Sequence, residues 1–303
     1  MTAIELSGVT KTFGTHTAVD DLQLTVPRGS VYGFIGPNGS GKTTTLRMIM
    51  NILYPDRGEI RIFGETLHSS WMERIGYMPE ERGLYKRMKV ADHLRFLAGL
   101  KGMKDARIEV RRWLERFDLA PWANKKIETL SKGMAQKVQF IATVVSRPEL
   151  VILDEPFTGL DPVNTDALRE AILELQRGGT TVIFSTHDMN MAERMCDFIF
   201  MIFRGRKVLD GTLESIQDQF GNDTIRIRTE DGMTVLADLP GVQKVNDFGQ
   251  MQEIRLASGA DSQAILGAVM RRTRIRSFDI VRPSLHDIFV RIAGPETQEA
   301  DHA

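Results

Sequence analysis

Residues Gly36 to Thr43 read GPNGSGKT and match the pattern GxxxxGK[ST] of a phosphate-binding loop. The apolar run from Val31 to Ile35 precedes the loop and predicts a strand, and the residues from Thr44 to Met50 predict the first turns of a helix. A strand, a glycine-rich loop and a helix in this order form the context that the motif requires. The stretch therefore predicts a site for a nucleoside triphosphate within an α/β fold.

The residue types in the loop indicate how it would hold phosphate. Glycines allow successive backbone N–H groups to turn inward, and the positive end of the following helix adds to this anion nest. Lys42 would place its ammonium on the β- and γ-phosphates, and the hydroxyl of Thr43 is a hard oxygen ligand that suits Mg²⁺. We predict that the nucleotide contacts Gly36, Pro37, Asn38, Gly39, Ser40, Gly41, Lys42, Thr43 and Thr44.

Composition narrows the class of protein. The chain has 303 residues, with 39 basic against 40 acidic side chains, so no global charge favours nucleic acid. Its longest dense apolar run, Phe198 to Phe203, is far shorter than the roughly 20 residues of a membrane span. The N-terminus lacks the layout of a signal peptide and Cys196 is the only cysteine, which together favour the cytosol.

Two further apolar runs end in residues that suit phosphate chemistry. Leu150 to Asp154 predicts a buried parallel strand, whose carboxyl end faces the ligand crevice. Asp154 is then placed to hold Mg²⁺ or its waters, and Glu155 to polarise the attacking water. His187 follows the strand predicted over Thr181 to Ser185 and would lie at the same edge, where it would hydrogen-bond toward the γ-phosphate.

Two other stretches leave two interpretations open, and a third has one. Ser131 and Gly133, in Leu130–Met134 (LSKGM), open a predicted helix and form either an ordinary N-cap or a second anion site. Phe13 lies among predicted antiparallel strands and is either a core residue or a ring that stacks on a base. Glu80 lies in a loop after a short strand, and loops of this kind are candidates for sensing a ligand.

The remaining sequence predicts the domain layout. Residues 1–211 form the nucleotide domain, with antiparallel strands between Ile4 and Val26 and a helical subdomain at about 86–146. A helical linker at 212–221 leads to an α+β domain at 222–294, and a polar tail occupies 295–303. Strands of that domain are predicted over Thr224–Thr229, Thr234–Ala237, Gln252–Leu256 and Arg274–Val281, and helices over Ser262–Arg272 and Leu285–Ile292.

With these pieces placed, the sequence resembles the nucleotide-binding subunit of an ATP-binding cassette (ABC) transporter, from Ile4 to about Gly211. Six motifs occur in the family's order: Phe13 as the aromatic on adenine, GPNGSGKT as Walker A, LSKGM as the signature loop, LVILDEP as Walker B with Glu155 as catalytic carboxylate, GLD at Gly159–Asp161 as the D-loop, and His187 as the switch histidine. The resemblance implies the ABC ATPase fold of P-loop NTPases: a parallel-sheet core, an antiparallel β subdomain and a helical insert, here with a small C-terminal α+β domain.

Two departures from the family pattern stand out. Lys132 and Met134 replace the glycine and glutamine of the usual LSGGQ, although Ser131 and Gly133 remain. Glu80 stands where the Q-loop glutamine is expected, and its carboxylate would still reach Mg²⁺ or its water. These departures, with PEERGLY at 79–85 and SLHDIFVRIAG at 284–294, resemble bacterial exporter ATPases of the drug, sodium or polysaccharide kind.

The resemblance also implies partners and a mechanism. Two ATPase subunits, like or unlike, would sandwich two ATP with Mg²⁺, the signature of each facing the Walker A loop of the other, and would drive separate transmembrane permease subunits from the cytoplasmic face of the membrane. No nucleic-acid partner is expected. The alternative is a soluble ABC ATPase acting on nucleic acid or ribosomes, although the chain has one cassette and no long heptad run. A GTPase or a small kinase would not need LSKGM or His187, and a binding-only regulator would not need Glu155.

Overall fold

The structure is a computed structural model that describes residues 1–66, 71, 73–81, 83–221, 224–231, 236, 238–249, 251–257 and 259–297. The chain divides into two compact units, the first spanning Met1–Thr212 and the second beginning at Leu213. Among the helices that the structure describes, none combines the length and the hydropathy of a membrane span.

A six-stranded sheet forms the centre of the first unit. Its strands, in spatial order, are β10 (Arg206–Gly211), β9 (Phe198–Phe203), β3 (Val31–Ile35), β8 (Thr181–Thr186), β7 (Leu150–Asp154) and β6 (Ile75–Met78). All neighbours are parallel except β10, which runs antiparallel to β9. Every residue of β3, β7 and β8 is buried, as expected for parallel strands that are covered on both faces. The carboxyl ends of these strands therefore meet at one edge.

An antiparallel sheet packs against this core. Its strands, in spatial order, are β2 (His16–Pro27), β1 (Thr2–Phe13), β4 (Arg57–Ile62) and β5 (Glu65–Thr66). Inward residues of β1 and β2, such as Ile4 and Leu22, share one hydrophobic core with Phe34 and Ile152 of the central sheet. The alternation in the sequence thus marks the buried face of the predicted antiparallel subdomain.

Helices cover the central sheet and form the predicted insert. In chain order they are α1 (Lys42–Ile49), α2 (Val90–Leu100), α3 (Arg107–Arg116), α4 (Lys132–Val144), α5 (Pro162–Arg177) and α6 (Met189–Met195). The apolar faces of α2, α3 and α4 bury Leu94, Trp113 and Phe140 in a second core, which also contains Leu153 and Phe184 of the sheet. The insert is therefore packed on the carboxylate-bearing strand β7.

The second unit is α+β. It contains α7 (Leu213–Phe220), α8 (Ser262–Met270), α9 (Leu285–Thr297) and one antiparallel sheet, in the order β12 (Val242–Asp247), β13 (Gln252–Leu256), β11 (Thr224–Thr229) and β14 (Ile275–Val281). Apolar residues of β11 and β13 pack against Ile265 and Val269 of α8 and give this unit its own core.

Several elements differ from the sequence-based expectations. Residues 212–221, predicted as a helical linker, do contain a helix, α7, but it belongs to the second unit. Strand β12 was not predicted, because it is an edge strand with no buried residue and with polar residues at alternate and adjacent positions. Of the predicted strand Thr234–Ala237, all but Leu236 lies outside the described residues. Helix α9 continues to Thr297, past Gly294 and Pro295, which are weak helix formers and predict an earlier end.

Candidate active site

The GPNGSGKT loop joins the carboxyl end of β3 to the N-terminus of α1. Gly41 is the N-cap of α1 with φ 109°, and a Cβ there would lie 2.5 Å from the carbonyl oxygen of Ala18. Gly36 has φ 154°, and a Cβ at this position would overlap the carbonyl oxygen of Ile202. Neighbouring backbone and left-handed torsions thus require glycine at both positions. The loop is held tightly between the antiparallel sheet and β9.

Lys42 lies buried inside the loop. Its Nζ donates to the carbonyl oxygens of Gly36 at 2.7 Å and Pro37 at 3.1 Å, and lies 3.9 Å from Oε1 of Glu155. Burial lowers the pKa of Lys42, whereas the negative charges of Glu155, Asp154 and Glu80 act in the opposite direction. A cation in this position suits an anionic ligand, because the loop has already desolvated it.

Asp154, at the end of β7, is buried and accepts two hydrogen bonds at the same oxygen. Its Oδ1 accepts from the hydroxyl of Thr43 at 3.3 Å and from the hydroxyl of Ser185 at 2.5 Å. The acid expected to act on a metal therefore lies beside the hydroxyl expected to bind it.

Glu155 follows at φ 49°, an uncommon conformation for a residue with a side chain. Its backbone N–H donates to Oγ of Ser185 at 3.0 Å. Both carboxylate oxygens lie 3.1 Å from Nδ1 of His187, which follows directly after β8. The turn thus directs Glu155 toward His187 and Lys42, while the imidazole, with its side chain 60% exposed, remains accessible from solvent.

A cavity of about 380 Å³ opens over these groups. It is lined by Phe13, His16, Ala18, Asn38, Gly39, Ser40, Gly41, Lys42, Thr43, Thr44, Glu80 and Glu155. Phe13 is 47% exposed at the end of β1, so it is a ring at the cavity mouth rather than a core residue. The structure therefore brings the predicted aromatic, the loop and two acids to one place.

Ser131 and Gly133 do not line this cavity within the described part of the chain. Ser131 is the N-cap of α4 and accepts from the backbone N–H of Met134 at 3.2 Å. A Cβ on Gly133 would lie 3.2 Å from Nδ2 of Asn164, near the start of α5. The signature loop is thus a separate surface of the same unit.

Several residues that position the site belong to none of the motifs identified in the sequence. Gln136 and Gln139 of α4 are buried; Gln136 Nε2 donates to the carbonyl of Pro156 at 3.0 Å, and Gln139 Nε2 donates to that of Pro79 at 2.8 Å. They connect the signature helix to the loops that carry Glu155 and Glu80. The sequence signal for these two residues is that they are polar side chains on an apolar helix face, where a buried polar group needs a hydrogen-bond partner. Ser185 is found only when the ends of β7 and β8 are aligned.

The donor set fits a triphosphate with a hard divalent cation. The hydroxyl of Ser40 is buried at the cavity and has no hydrogen-bond partner among the described residues, as expected of a group that awaits a polar ligand. Thr43, Asp154 and Glu80 supply oxygen atoms, which are the ligands that Mg²⁺ prefers. In the described residues no cluster of three histidine, cysteine or acidic side chains could hold a metal by itself.

Comparison with known proteins gives the family. Residues 19–158 match the family described as "ABC transporter", and residues 211–293 match "ATP-binding protein DrrA1-3-like, C-terminal domain". The chain is 42% identical, over 96% of its length and 98% of the relative's, to an uncharacterized ABC transporter ATP-binding protein, YhaQ, of Bacillus subtilis. This chain belongs to the ATP-binding proteins of ABC transporters. Members of this family are transport ATPases, and the predicted fold class and resemblance are confirmed.

Two other relatives of this ABC ATPase have informative names. The Nod factor export ATP-binding protein I of Burkholderia lata is 33% identical over 98% of both chains. The daunorubicin/doxorubicin resistance ATP-binding protein DrrA of Streptomyces peucetius is 31% identical over 96% of this chain and 92% of its own. A solved ATP-binding subunit of an ABC transporter is 34% identical with a TM-score of 0.68, and the match covers 72% of this chain and 93% of that one. This ABC ATPase is therefore related to drug-resistance ATPases over its full length.

Proposed function

We propose that this ABC ATPase hydrolyses Mg²⁺-bound ATP to drive export through separate transmembrane subunits. It would act as one of two ATPase subunits, like or unlike, that enclose two ATP molecules at the cytoplasmic face of the membrane. The observation that carries the proposal is the meeting of Lys42, Glu155 and His187 at the carboxyl edge of one sheet, with Nδ1 of His187 3.1 Å and Nζ of Lys42 3.9 Å from the Glu155 carboxylate.

Each group has a role that follows from its chemistry. Lys42 stabilises charge on the phosphates, and its buried position provides that stabilisation without reorganisation of water. Glu155 accepts a proton from the attacking water and keeps that water in line. His187 holds the Glu155 side chain at Nδ1 and leaves its other ring nitrogen for the γ-phosphate. Phe13, half-exposed at the mouth, stacks on adenine.

Thr43, Asp154 and Glu80 are the residues that would hold Mg²⁺. The cation supplies charge neutralisation on the phosphate oxygens when it is bound. The chain's own contribution is to orient the oxygens, through the hydrogen bond from Thr43 to Oδ1 of Asp154.

The position of Ser131 and Gly133 supports a site shared between two subunits. Both lie at the start of α4 and away from the cavity that contains Lys42. Backbone N–H groups at a helix start suit phosphate. A second copy or a related subunit would therefore supply these residues to the ATP bound on this chain.

Export and a membrane partner are supported by relatives and by a surface groove. The relatives are named for Nod factor export and for daunorubicin resistance. A groove of about 280 Å³ lies between the loop after β6 and helix α2, and its lining includes Ile52, Tyr77, Leu84, Leu97 and Leu100. An apolar groove beside the Glu80 loop suits a short helix of a transmembrane subunit, which would then sense the nucleotide.

Glu155→Gln tests the proposed function. The amide keeps the shape of the side chain but cannot take a proton from water, so we expect ATP hydrolysis to fall at least about a hundredfold. ATP affinity should stay within a few-fold of the parent, and light scattering should detect an ATP-dependent dimer. Glu170→Gln, a partly exposed acid on α5, is the matched control and should retain the parent rate.

Hydrolysis by Glu155→Gln at the parent rate would remove Glu155 from its assigned role. Stimulation of the parent enzyme by ribosomes or RNA, with none by detergent-solubilised membrane fractions, would favour the soluble ABC ATPase instead.

A further inference from the structure

Ser185 is a buried serine whose one hydroxyl contacts both acids of the site. It lies on β8 at the position paired with Asp154 of β7, and no part of it is exposed. Its Oγ donates to Oδ1 of Asp154 at 2.5 Å and accepts from the backbone N–H of Glu155 at 3.0 Å. One side chain from a neighbouring strand thus links the metal-side acid to the backbone of the acid that follows it.

Both hydrogen bonds lie where water cannot replace them easily. Asp154 and Ser185 are buried, and the N–H of Glu155 points into the same interior. Without the hydroxyl, a buried carboxylate oxygen loses a donor and a buried N–H loses its acceptor, and each loss leaves a polar group less well satisfied. The serine is therefore more than a small residue that fits a tight sheet.

The first consequence concerns the orientation of Asp154. Thr43 and Ser185 donate to the same oxygen, Oδ1, at 3.3 Å and 2.5 Å. The shorter bond from Ser185 holds the carboxylate plane, so the relation between Asp154 and the hydroxyl of Thr43 depends on a residue that lines no part of the cavity.

The second consequence concerns the direction of Glu155. Its φ of 49° is unfavourable for a side-chain-bearing residue and persists only where surrounding bonds hold it. The N–H of this residue is held by Ser185, and from this backbone the carboxylate reaches Nδ1 of His187 at 3.1 Å. A change at Ser185 would therefore rotate the carboxylate away from the attacking water.

We propose that Ser185 is a positioning residue for ATP hydrolysis, whose hydroxyl sets the orientation of Asp154 and of Glu155 together. The inference rests on the proposed roles of those two acids. It adds a residue that touches neither the cavity nor the expected ligand, and it assigns one hydroxyl to two effects: metal affinity through Asp154 and turnover through Glu155.

Ser185→Thr and Ser185→Val form the decisive pair, because threonine and valine have nearly the same shape and only threonine keeps the hydroxyl. We expect Ser185→Val to lower kcat about ten- to a hundredfold and to weaken the affinity for the divalent cation about tenfold, as for the loss of groups that orient metal ligands. Ser185→Thr should stay within about threefold of the parent in kcat and in affinity for the divalent cation. The readouts are kcat and KM for ATP, and Mn²⁺ affinity by electron paramagnetic resonance with adenylyl imidodiphosphate, which requires no turnover.

Thr181→Val is the matched control on the same strand. Thr181 is also buried, but its hydroxyl accepts from the backbone N–H of Gly29, at the opposite end of β8. We expect this variant to lose stability while its kcat and Mn²⁺ affinity remain those of the parent. The control therefore separates the loss of any buried hydroxyl from the loss of the one at the site.

Equal effects of Ser185→Thr and Ser185→Val would assign Ser185 to packing and overturn the proposal. Parent-like kcat and Mn²⁺ affinity in Ser185→Val would overturn it as well. If the β-branched variants do not fold, Ser185→Ala adds no atoms, and parent-like values in that variant overturn the proposal in the same way. Parent-rate hydrolysis by Glu155→Gln would instead be a failure of the proposed function. The Mn²⁺ affinities of the pair would still decide whether Ser185 orients Asp154.

Discussion

The effect of a buried polar residue on this protein depends on whether its side chain has a hydrogen-bond partner. Ser185 has partners for its hydroxyl, and so it links β8 to Asp154 of β7 and to the backbone of Glu155, which follows β7. His93 of α2 is the opposite case. It is completely buried, and neither ring nitrogen has a hydrogen-bond partner among the residues that the structure describes. A buried imidazole without a partner favours the neutral form.

His93 is expected to make stability depend on pH. Burial lowers its pKa in the folded state below the ordinary value of 6.5, at which the unfolded chain titrates. Between the two pKa values the unfolded state binds more protons than the folded state. The stability is therefore highest above about pH 6.5, and the free energy of unfolding falls as the pH is lowered toward the folded-state pKa of His93. His93→Leu should flatten this dependence. Urea unfolding followed by tryptophan fluorescence measures it, since Trp71, Trp113 and Trp122 all lie in the first unit.

Leu94→Ala on the same helix is the control for this prediction, because Leu94 is equally buried but has no titratable group, so its loss should lower stability at every pH and leave the pH dependence unchanged. A His93→Leu variant whose stability still falls with acid as steeply as the parent would show that another group is responsible.

At the scale of elements, the close approach of helix α6 to strand β3 depends on one glycine. Gly33 lies in the middle of β3, and a Cβ built on it would be 2.5 Å from Sγ of Cys196, which follows α6. Because the Cys196 side chain occupies the space that a side chain on Gly33 would need, the single cysteine is a packing residue. Burial also raises the pKa of its thiol, so it is a poor nucleophile.

Gly33→Ala should therefore destabilise the first unit by about 1 to 3 kcal/mol, the usual cost of overpacking. Cys196→Ala removes the atom that collides, so the double variant should be less destabilised than the sum of the two single variants by about 1 kcal/mol or more. Urea midpoints of the four proteins, measured by tryptophan fluorescence, give this coupling directly. Additive effects would contradict the contact.

At the scale of the whole molecule, two exposed aliphatic residues differ in their position relative to the proposed docking groove. Leu100 is 64% exposed at the end of α2 and lines the groove beside the Glu80 loop, whereas Ile108 on α3 is 81% exposed and does not. Both are large, exposed and aliphatic, so they form a matched pair. A docked membrane helix would bury the first and leave the second in water.

Leu100→Glu should reduce co-purification of membrane-spanning chains from the native host in detergent by about tenfold, because it would place an unpaired charge in an apolar interface. Ile108→Glu should leave co-purification unchanged. ATP hydrolysis by the isolated variants should equal that of the parent, since neither residue contacts the nucleotide cavity. Equal recovery with both variants would move the docking surface elsewhere.

Much of this protein is determined by residues that are contiguous in sequence. GPNGSGKT, the run from Leu150 to Glu155 and the apolar faces of α2 to α4 predict loop, strand and helices without reference to distant residues, because periodicity and turn chemistry are local properties. The two acids and His187 could be expected at one edge because carboxyl ends of parallel strands meet there.

Only the tertiary structure decided what holds those groups in place. The hydroxyl of Ser185 on Asp154, the amide of Gln139 on Pro79 and the thiol of Cys196 against Gly33 join residues 31, 60 and more positions apart. Edge strand β12 also escaped prediction, because its polar residues form a strand only by pairing with β13. Strand register and side-chain packing are cooperative properties of the whole core, so no window of sequence contains them, whereas a phosphate-binding loop is complete in eight consecutive residues.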